Sequence, residues 1–338
     1  MACHDRLITI GYALMPDEPH PETPAPGSAP PRRGRRLLGL LALGVVLIGA
    51  AGLYLYLTFS LPVGEGPAGP AVAKAAFTHP WTTRPVLLVG LGDSITAGFG
   101  ARRGHTYFDR LVANPPDEFS DMKGICLSAV FTNLRTTNLS VSGTVSSEHA
   151  QGQLPHVPRA DARTLGFVVI TTGGNDLIHN YGRTPPRNQA MYGATLEQAK
   201  PWVAEFADRL ETIVSGLESR FPGGCHIFLA DIYDPTDGVG DIAKAGLPVW
   251  PDGMKVFGAY NDAIRDCAKK HSSVHLVNFH DAFLGHGIHC RQFWARHYDR
   301  KDPHYWYYAN LEDPNERGYD AIRRLFLIEM AKVSEGLK

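Results

Sequence analysis

The stretch that decides the fold is Val86-Leu-Leu-Val-Gly-Leu-Gly-Asp-Ser-Ile-Thr-Ala-Gly98. Its apolar first half is typical of a strand that is buried on both faces of a parallel sheet. The run ends abruptly at Gly92-Asp93-Ser94, and small residues follow. The pattern predicts that a buried strand delivers the Ser94 hydroxyl to the open end of a sheet, where another group could activate it as a nucleophile. The motif is not G-x-S-x-G, because Thr96 stands where that motif needs its second glycine.

Apolar runs and segments of helical spacing alternate along the rest of the chain. Strands are predicted over 85–92, 137–142, 165–172, 226–233 and 274–279. Helices are predicted over 106–113, 196–220, 260–270 and 315–334. This alternation predicts an α/β domain with a parallel sheet of about five strands and helices on both sides. Active sites of such sheets lie beyond the carboxyl ends of the strands, and Ser94, Gly143 and Asn175 all follow predicted strand ends.

These three residues could build a site for acyl transfer, which needs a nucleophile, a base and donors for an oxyanion. Ser94 is the candidate nucleophile, and its own N–H is a candidate oxyanion donor. Gly143 offers a second N–H, because glycine permits close approach of the backbone to a substrate. Asn175 offers a side-chain amide.

Three motifs resemble the first three blocks of the GDSL or SGNH hydrolases, a family of serine esterases and lipases. They are Gly92-Asp-Ser94, Asn138-Leu-Ser-Val-Ser-Gly143 and Gly173-Gly-Asn-Asp176, in the family's order. The resemblance covers about residues 86–330. It implies a flavodoxin-like three-layer α/β/α sandwich, an acyl-enzyme on Ser94, and no metal or organic cofactor.

The family's last block, Asp-x-x-His, departs from its pattern in this chain. The matching stretch is Asn310-Leu-Glu-Asp313, so that Asp313 stands in place of the histidine and Asn310 in place of the aspartate. The residues that follow, Pro314-Asn315 and Gly318-Tyr319, agree with the family. A carboxylate of ordinary pKa is a poor base for a serine hydroxyl.

A histidine from the preceding segment is therefore predicted as the base. His304 is the preferred candidate, with Asp302 as the carboxylate that orients it, in the manner of a catalytic triad. His297 and His289 are alternative bases, and Asp313 is an alternative orienting carboxylate. Aromatic candidates for shaping a pocket are Trp250, Trp294, Tyr305, Trp306, Tyr307 and Tyr308.

A membrane anchor is predicted at Leu37–Phe59, a run of 23 residues without a charge. A helix of that length measures about 34 Å, enough to cross a bilayer core of about 30 Å. Arginines 32, 33, 35 and 36 precede the run, and the first basic residue after it is Lys74. This bias predicts a single pass with a cytoplasmic N-terminus and an extracytoplasmic domain. A cleaved signal peptide is the alternative, although its apolar region is usually shorter.

The rest of the domain organisation follows from composition. Residues 1–36 are predicted to be a disordered, proline-rich tail, residues 60–84 a linker, and residues 85–338 the hydrolase domain. The net charge of −1 does not favour binding to nucleic acid. No C-x-x-C pair is present. Two states are open for Cys126, Cys225, Cys267 and Cys290. They form one or two disulfides, or they are buried free thiols.

These observations predict a membrane-anchored serine esterase or lipase that acts on small-molecule, lipid or cell-envelope esters. Two alternatives stay open. One is a polysaccharide O-acyltransferase or deacetylase of the cell envelope, and the other is a non-catalytic binding domain of the same fold.

Overall fold

The sheet has five parallel strands. The structure is a computed structural model that describes residues 27 and 32–337. The strands are β1 (Val86–Gly92), β2 (Leu134–Asn138), β3 (Leu165–Thr171), β4 (Cys225–Ala230) and β5 (Val274–Val277). Their order is β2-β1-β3-β4-β5, with parallel pairing throughout. β1 and β3 are buried along their whole length, as their apolar runs predict.

Helices cover both faces of this sheet. The α-helices are α1 (Arg32–Phe59), α2 (Ser94–Ala97), α3 (Tyr107–Val112), α4 (Leu127–Val130), α5 (Ser146–Glu148), α6 (Gly174–Ile178), α7 (Leu196–Arg220), α8 (Gly253–Lys270), α9 (Phe279–Phe283) and α10 (Glu316–Val333). Successive residues of a strand point to opposite faces. Accordingly, Leu88 packs in the core cluster of α3 and α10, and Val89 packs in that of α7 and α8. The predicted three-layer α/β/α sandwich is confirmed.

Helix α7 has the bounds that its sequence predicts. Thr195 caps it by accepting a hydrogen bond from the N–H of Gln198 at 3.2 Å, and the side chain of Gln198 accepts one from the N–H of Thr195 at 2.9 Å. Phe206 and Leu210 lie on its buried face. Pro201 lies in the second turn of α7, whereas proline is usually tolerated only in the first turn of a helix.

Strand β2 and helix α8 differ from their predicted bounds. β2 ends at Asn138, whose side chain donates to the carbonyl of Thr96 at 2.9 Å and accepts from the N–H of Ser140 at 3.1 Å. Regular strand pairing ends there, although the N–H groups of residues 139 and 141 still donate to carbonyls at the end of β1, at 2.8 and 3.1 Å. α8 begins at Gly253 instead of residue 260, because Gly253 and Gly258 have low helix propensity and obscure the helical pattern of its first two turns.

Residues 60–84, predicted as a linker, pack onto the domain. Phe77 and Trp81 are buried, and the N–H of Ala68 donates to Asp320 at 2.9 Å. This segment continues from α1, whose residues 36–59 form a helix long and apolar enough to cross a membrane. Apart from Gly27 and residues 32–36, the predicted disordered tail lies outside the described residues.

Candidate active site

Ser94 begins helix α2 directly after strand β1. Gly92 has a φ of 135°, and a Cβ on it would lie 2.3 Å from the carbonyl oxygen of Thr171, so only glycine fits this turn. Asp93 is the N-cap of α2 and accepts from the N–H of Ile95 at 3.1 Å. The turn therefore presents Ser94 at the carboxyl end of the sheet, as predicted.

Hydrogen bonds to Asp93 fix this turn. The Asp93 carboxylate accepts from the hydroxyl of Thr171 at 2.8 Å, and Thr171 is linked through Thr96 to the hydroxyl of Tyr107. Burial raises the pKa of Asp93 to about 7, and the charge of nearby Asp313 adds to this rise. Asp93 thus holds the serine turn and carries a proton over part of the neutral range.

Asp313 lies beside the Ser94 hydroxyl, at the position where the family has histidine. Its side chain is buried, and burial raises its pKa, while the nearby Ser94 hydroxyl and the Asn310 amide oppose that rise. The amide of Asn310 donates to Oδ2 at 2.6 Å. Oδ1 of Asp313 makes no hydrogen bond within the described residues. A buried carboxylate with one oxygen free to accept a proton therefore faces the serine.

Asn175 and Gly143 lie on the two loops next to this serine. Asn175 lies in the first turn of α6, lines the same cavity as Ser94, and donates one amide N–H to the carbonyl of Thr144 at 2.9 Å. The hydroxyl of Thr144 donates to the carbonyl of Gly92 at 3.2 Å, which brings the loop of Gly143 against the end of β1. Gly143 has a φ of 83° and open space where a Cβ would be.

His149 connects these two loops, and no sequence motif marks it as a functional residue. Its ring bonds the hydroxyl of Thr172 at 2.7 Å and that of Thr144 at 2.9 Å. Burial lowers the pKa of His149 to about 4, so the ring is neutral at neutral pH. His149 positions the loops and does not reach the cavity.

An apolar cavity of about 150 Å³ opens beside Ser94. Its apolar wall comes from Leu177, Ile178, Ile232, Ile242, Leu247, Trp250, Met254 and Phe257. Asp231, Asp234 and Glu312 also line it, and burial together with Asp313 raises the pKa of Glu312 to about 7. Of the aromatic candidates, Trp250 lines this cavity, whereas Tyr305, Trp306 and Tyr307 are buried in the core.

The structure brings His304 and Asp302 together but places them outside this cavity. His304 Nδ1 lies 2.5 Å from Asp302 Oδ1, and Asp302 Oδ2 accepts from Arg317 at 2.5 Å. The His304 ring packs against Gly64, where a Cβ would lie 2.5 Å from Cδ2 of that ring. Among the described residues, no histidine lines the cavity.

The alternative histidines also lie elsewhere. His289 bonds Asp241 at 2.8 Å, and His297 lies against Gly238. The four cysteines considered for disulfides are free and buried. A cluster with metal-ligand spacing, which no sequence motif indicates, joins Glu211 on α7, Cys267 on α8 and His271 directly after α8.

Comparison with known proteins identifies the family. A model of the GDSL-like lipase/acylhydrolase family matches residues 91–321. No curated protein matches the chain. An extracellular lipase from Streptomyces rimosus is 17% identical over 73% of this chain and 99% of its own, with a TM-score of 0.47. An acetylxylan esterase from Geobacillus stearothermophilus is 16% identical over 74% and 94%, with a TM-score of 0.45.

A lipolytic G-D-S-L family protein from Veillonella parvula is 14% identical over 71% of this chain and 97% of its own, with a TM-score of 0.43. These three likenesses are too distant to indicate a substrate. The family model, in contrast, spans more than half of the chain and includes all three motifs around Ser94. The chain therefore belongs to the GDSL-like lipase/acylhydrolase family and is an ester-hydrolysing enzyme.

Proposed function

We propose that this enzyme cleaves carboxylic esters of medium or long acyl chains through an acyl-enzyme on Ser94, with Asp313 as the proton acceptor. The proposal rests mainly on the buried Asp313 carboxylate, which lies beside the Ser94 hydroxyl. Ser94 in turn lines an apolar cavity. Geometry and chemistry support one reaction sequence.

In the first half-reaction, the Ser94 oxygen bonds to the ester carbonyl carbon as its proton passes to Asp313. The bond from that carbon to the alcohol oxygen then breaks, and the alcohol leaves with the proton from Asp313. In the second half-reaction, water adds to the acyl carbon and gives a proton to Asp313. The acyl bond to Ser94 breaks as the serine recovers this proton, so one ester and one water yield an acid and an alcohol.

The environment of Asp313 makes it a stronger base than an exposed carboxylate. Burial raises its pKa, and a base becomes more effective as its pKa approaches the working pH. The amide of Asn310 holds Oδ2 at 2.6 Å and leaves Oδ1 available. Asn310 thus orients the Asp313 carboxylate, as an aspartate orients the histidine of a triad, although its hydrogen bond lowers the pKa of Asp313.

The pair of His304 and Asp302 is the competing base. The two side chains are already bonded to each other, which is the arrangement that a triad needs. To reach Ser94, however, His304 would have to leave its packing against Gly64. Asp313 needs no such rearrangement, and for this reason we favour it.

The proposed oxyanion donors are the N–H of Ser94, the N–H of Gly143 and the side-chain amide of Asn175. An asparagine amide has two N–H donors, and the carbonyl of Thr144 occupies one. The second is left for the substrate. Donors fixed in this way act without reorganisation as negative charge develops.

The cavity wall supports the choice of acyl group. Aliphatic and aromatic side chains form most of the lining next to Ser94. Each buried methylene of an acyl chain contributes about 0.8 kcal/mol in such surroundings. Lipid or cell-envelope esters are the proposed natural substrates, because the apolar helix α1 would hold the enzyme at a membrane. We further propose that its N-terminus is cytoplasmic, since the arginines precede the apolar run.

The test is hydrolysis of p-nitrophenyl esters from acetate to decanoate by the full chain in detergent micelles, beside Ser94→Ala and the exposed control Ser128→Ala. We expect kcat/KM to rise about tenfold or more from acetate to octanoate. Ser94→Ala should lose about a thousandfold or more, and Ser128→Ala should match the wild type. A preference for acetylated sugars, or transfer of the acyl group to a sugar, would favour the polysaccharide-modifying alternative. Binding of esters without turnover would favour the non-catalytic one.

A further inference from the structure

Two large apolar side chains are exposed in one loop of the hydrolase domain. Phe293 is 64% exposed and Trp294 is 48% exposed. Their rings contact each other edge to face, with centroids 4.9 Å apart. Exposed aromatic pairs on a soluble face are unusual unless they meet a partner.

This loop contacts the end of the apolar helix. The Trp294 ring stacks on Tyr54 with centroids 5.8 Å apart. The guanidinium of Arg291 lies 4.4 Å from the ring centroid of Tyr56 and donates to the hydroxyl of Ser60 at 3.2 Å. Tyrosine and tryptophan concentrate at the level of lipid headgroups. These contacts place the exposed pair at the level where α1 would leave a bilayer.

The same loop is basic. Residues 291–301 carry Arg291, Arg296, Arg300 and Lys301, and Asp299 is the one acidic residue among them. Residues 296, 300 and 301 are exposed. Basic side chains beside exposed aromatic rings are complementary to a surface of anionic lipid.

The segment just before this loop is bonded to residues next to the wall of the active-site cavity. The Asp237 carboxylate accepts from the N–H groups of Gly285 and Gly287 at 2.8 Å and from that of His289 at 2.9 Å. The ring of His289 bonds Asp241 at 2.8 Å, and the next residue, Ile242, lines the cavity.

We propose that residues 291–301 form a docking surface for anionic lipid of the membrane that holds α1, with Phe293 and Trp294 inserted among the headgroups. The docked surface holds the cavity wall near the bilayer, so the substrates of the proposed reaction are ester lipids of that leaflet. This last step rests on the proposed function, whereas the docking itself does not.

The experiment places an environment-sensitive dye on the full chain. The four described native cysteines are buried, so Phe293→Cys in a Cys3→Ser background gives one labelling site. Ser219→Cys is the matched control, an exposed position in the last turn of α7. Each labelled protein is reconstituted in vesicles of phosphatidylcholine alone and of phosphatidylcholine with phosphatidylglycerol, with and without nitroxide-labelled lipid.

We expect the dye at residue 293 to shift to shorter wavelength with anionic vesicles and to be quenched by nitroxide lipid at least about threefold more than the dye at 219. Changing Arg296, Arg300 and Lys301 to Gln should weaken the preference for anionic vesicles, by about fivefold for each residue. Equal quenching at the two positions overturns the proposal, as does an equal response to both lipid compositions. A shift without nitroxide quenching indicates a protein contact and also overturns it. Hydrolysis of a water-soluble ester, measured in parallel, reports separately on the proposed function.

Discussion

Replacing Asp313 with Asn tests the proposed base. The change keeps the size of the side chain and removes its capacity to take a proton from Ser94. Loss of a general base lowers kcat by a factor of about 10²–10⁴, which corresponds to about 3–5 kcal/mol in activation free energy. Oδ1 of Asp313 makes no hydrogen bond in the described part of the chain. We therefore expect Asp313→Asn to change the free energy of unfolding by no more than about 1 kcal/mol.

The assay is steady-state hydrolysis of p-nitrophenyl octanoate by the full chain in micelles, with unfolding of each variant followed by circular dichroism. His304→Gln is the matched control, and its kcat should stay within about twofold of the wild type. If His304→Gln loses activity while Asp313→Asn keeps more than half of it, the assignment of the base to Asp313 is wrong.

A double exchange sharpens the same test. Asn310→Asp with Asp313→His restores the family's Asp-x-x-His block at the position that faces Ser94. We expect this variant to hydrolyse esters and to lose activity in acid with a midpoint near the usual histidine pKa, about 6.5. An inactive but folded double variant would mean that residue 313 does not reach the reacting serine.

Three further outcomes follow from the structure. Asp313→Asn removes the negative charge that adds to the rise in the pKa of Asp93, so the pKa of Asp93 in an NMR titration should fall; an unchanged pKa refutes this coupling. Ile242→Trp narrows the cavity, so octanoate hydrolysis should fall about tenfold more than acetate hydrolysis, and equal losses would exclude an acyl site there. Glu118→Gln leaves buried Arg323 and Arg110 short of a carboxylate and should cost about 3 kcal/mol of unfolding free energy at pH 7 by urea denaturation. The pKa of Glu118 is lowered from 4.5 to about 2, so this difference should shrink as the pH falls through that range, and a difference that does not depend on pH would contradict the ion-pair explanation.

The sheet could be predicted from sequence because its central strands have a distinctive apolar pattern. β1 and β3 are uninterrupted apolar runs that end in glycine, and α7 has both a capping box and a clear apolar face. β2 could not be bounded in this way, because an edge strand with exposed residues carries little apolar signal. The segment 60–84 looked like a linker by composition, but a few residues such as Trp81 suffice to pack it onto the domain.

The site could be predicted in part, from the three motifs that follow strand ends. Local sequence shows that Asp313 replaces a histidine, but it cannot show that burial raises the pKa of that carboxyl. Nor could it show that His304, nine residues earlier, would be held against Gly64, because that contact joins segments about 240 residues apart. Proximity in sequence favoured His304, and tertiary packing decides which group faces Ser94.

Covalent labelling tests whether Ser94 is an activated nucleophile. The full chain is incubated with an alkyl fluorophosphonate, and the intact mass and modified peptide are determined by mass spectrometry. We expect one adduct per chain, located on Ser94, that forms at least about a hundredfold more slowly in Asp313→Asn and at the wild-type rate in His304→Gln. An adduct on another residue, or none on a folded protein that still hydrolyses esters, would contradict it.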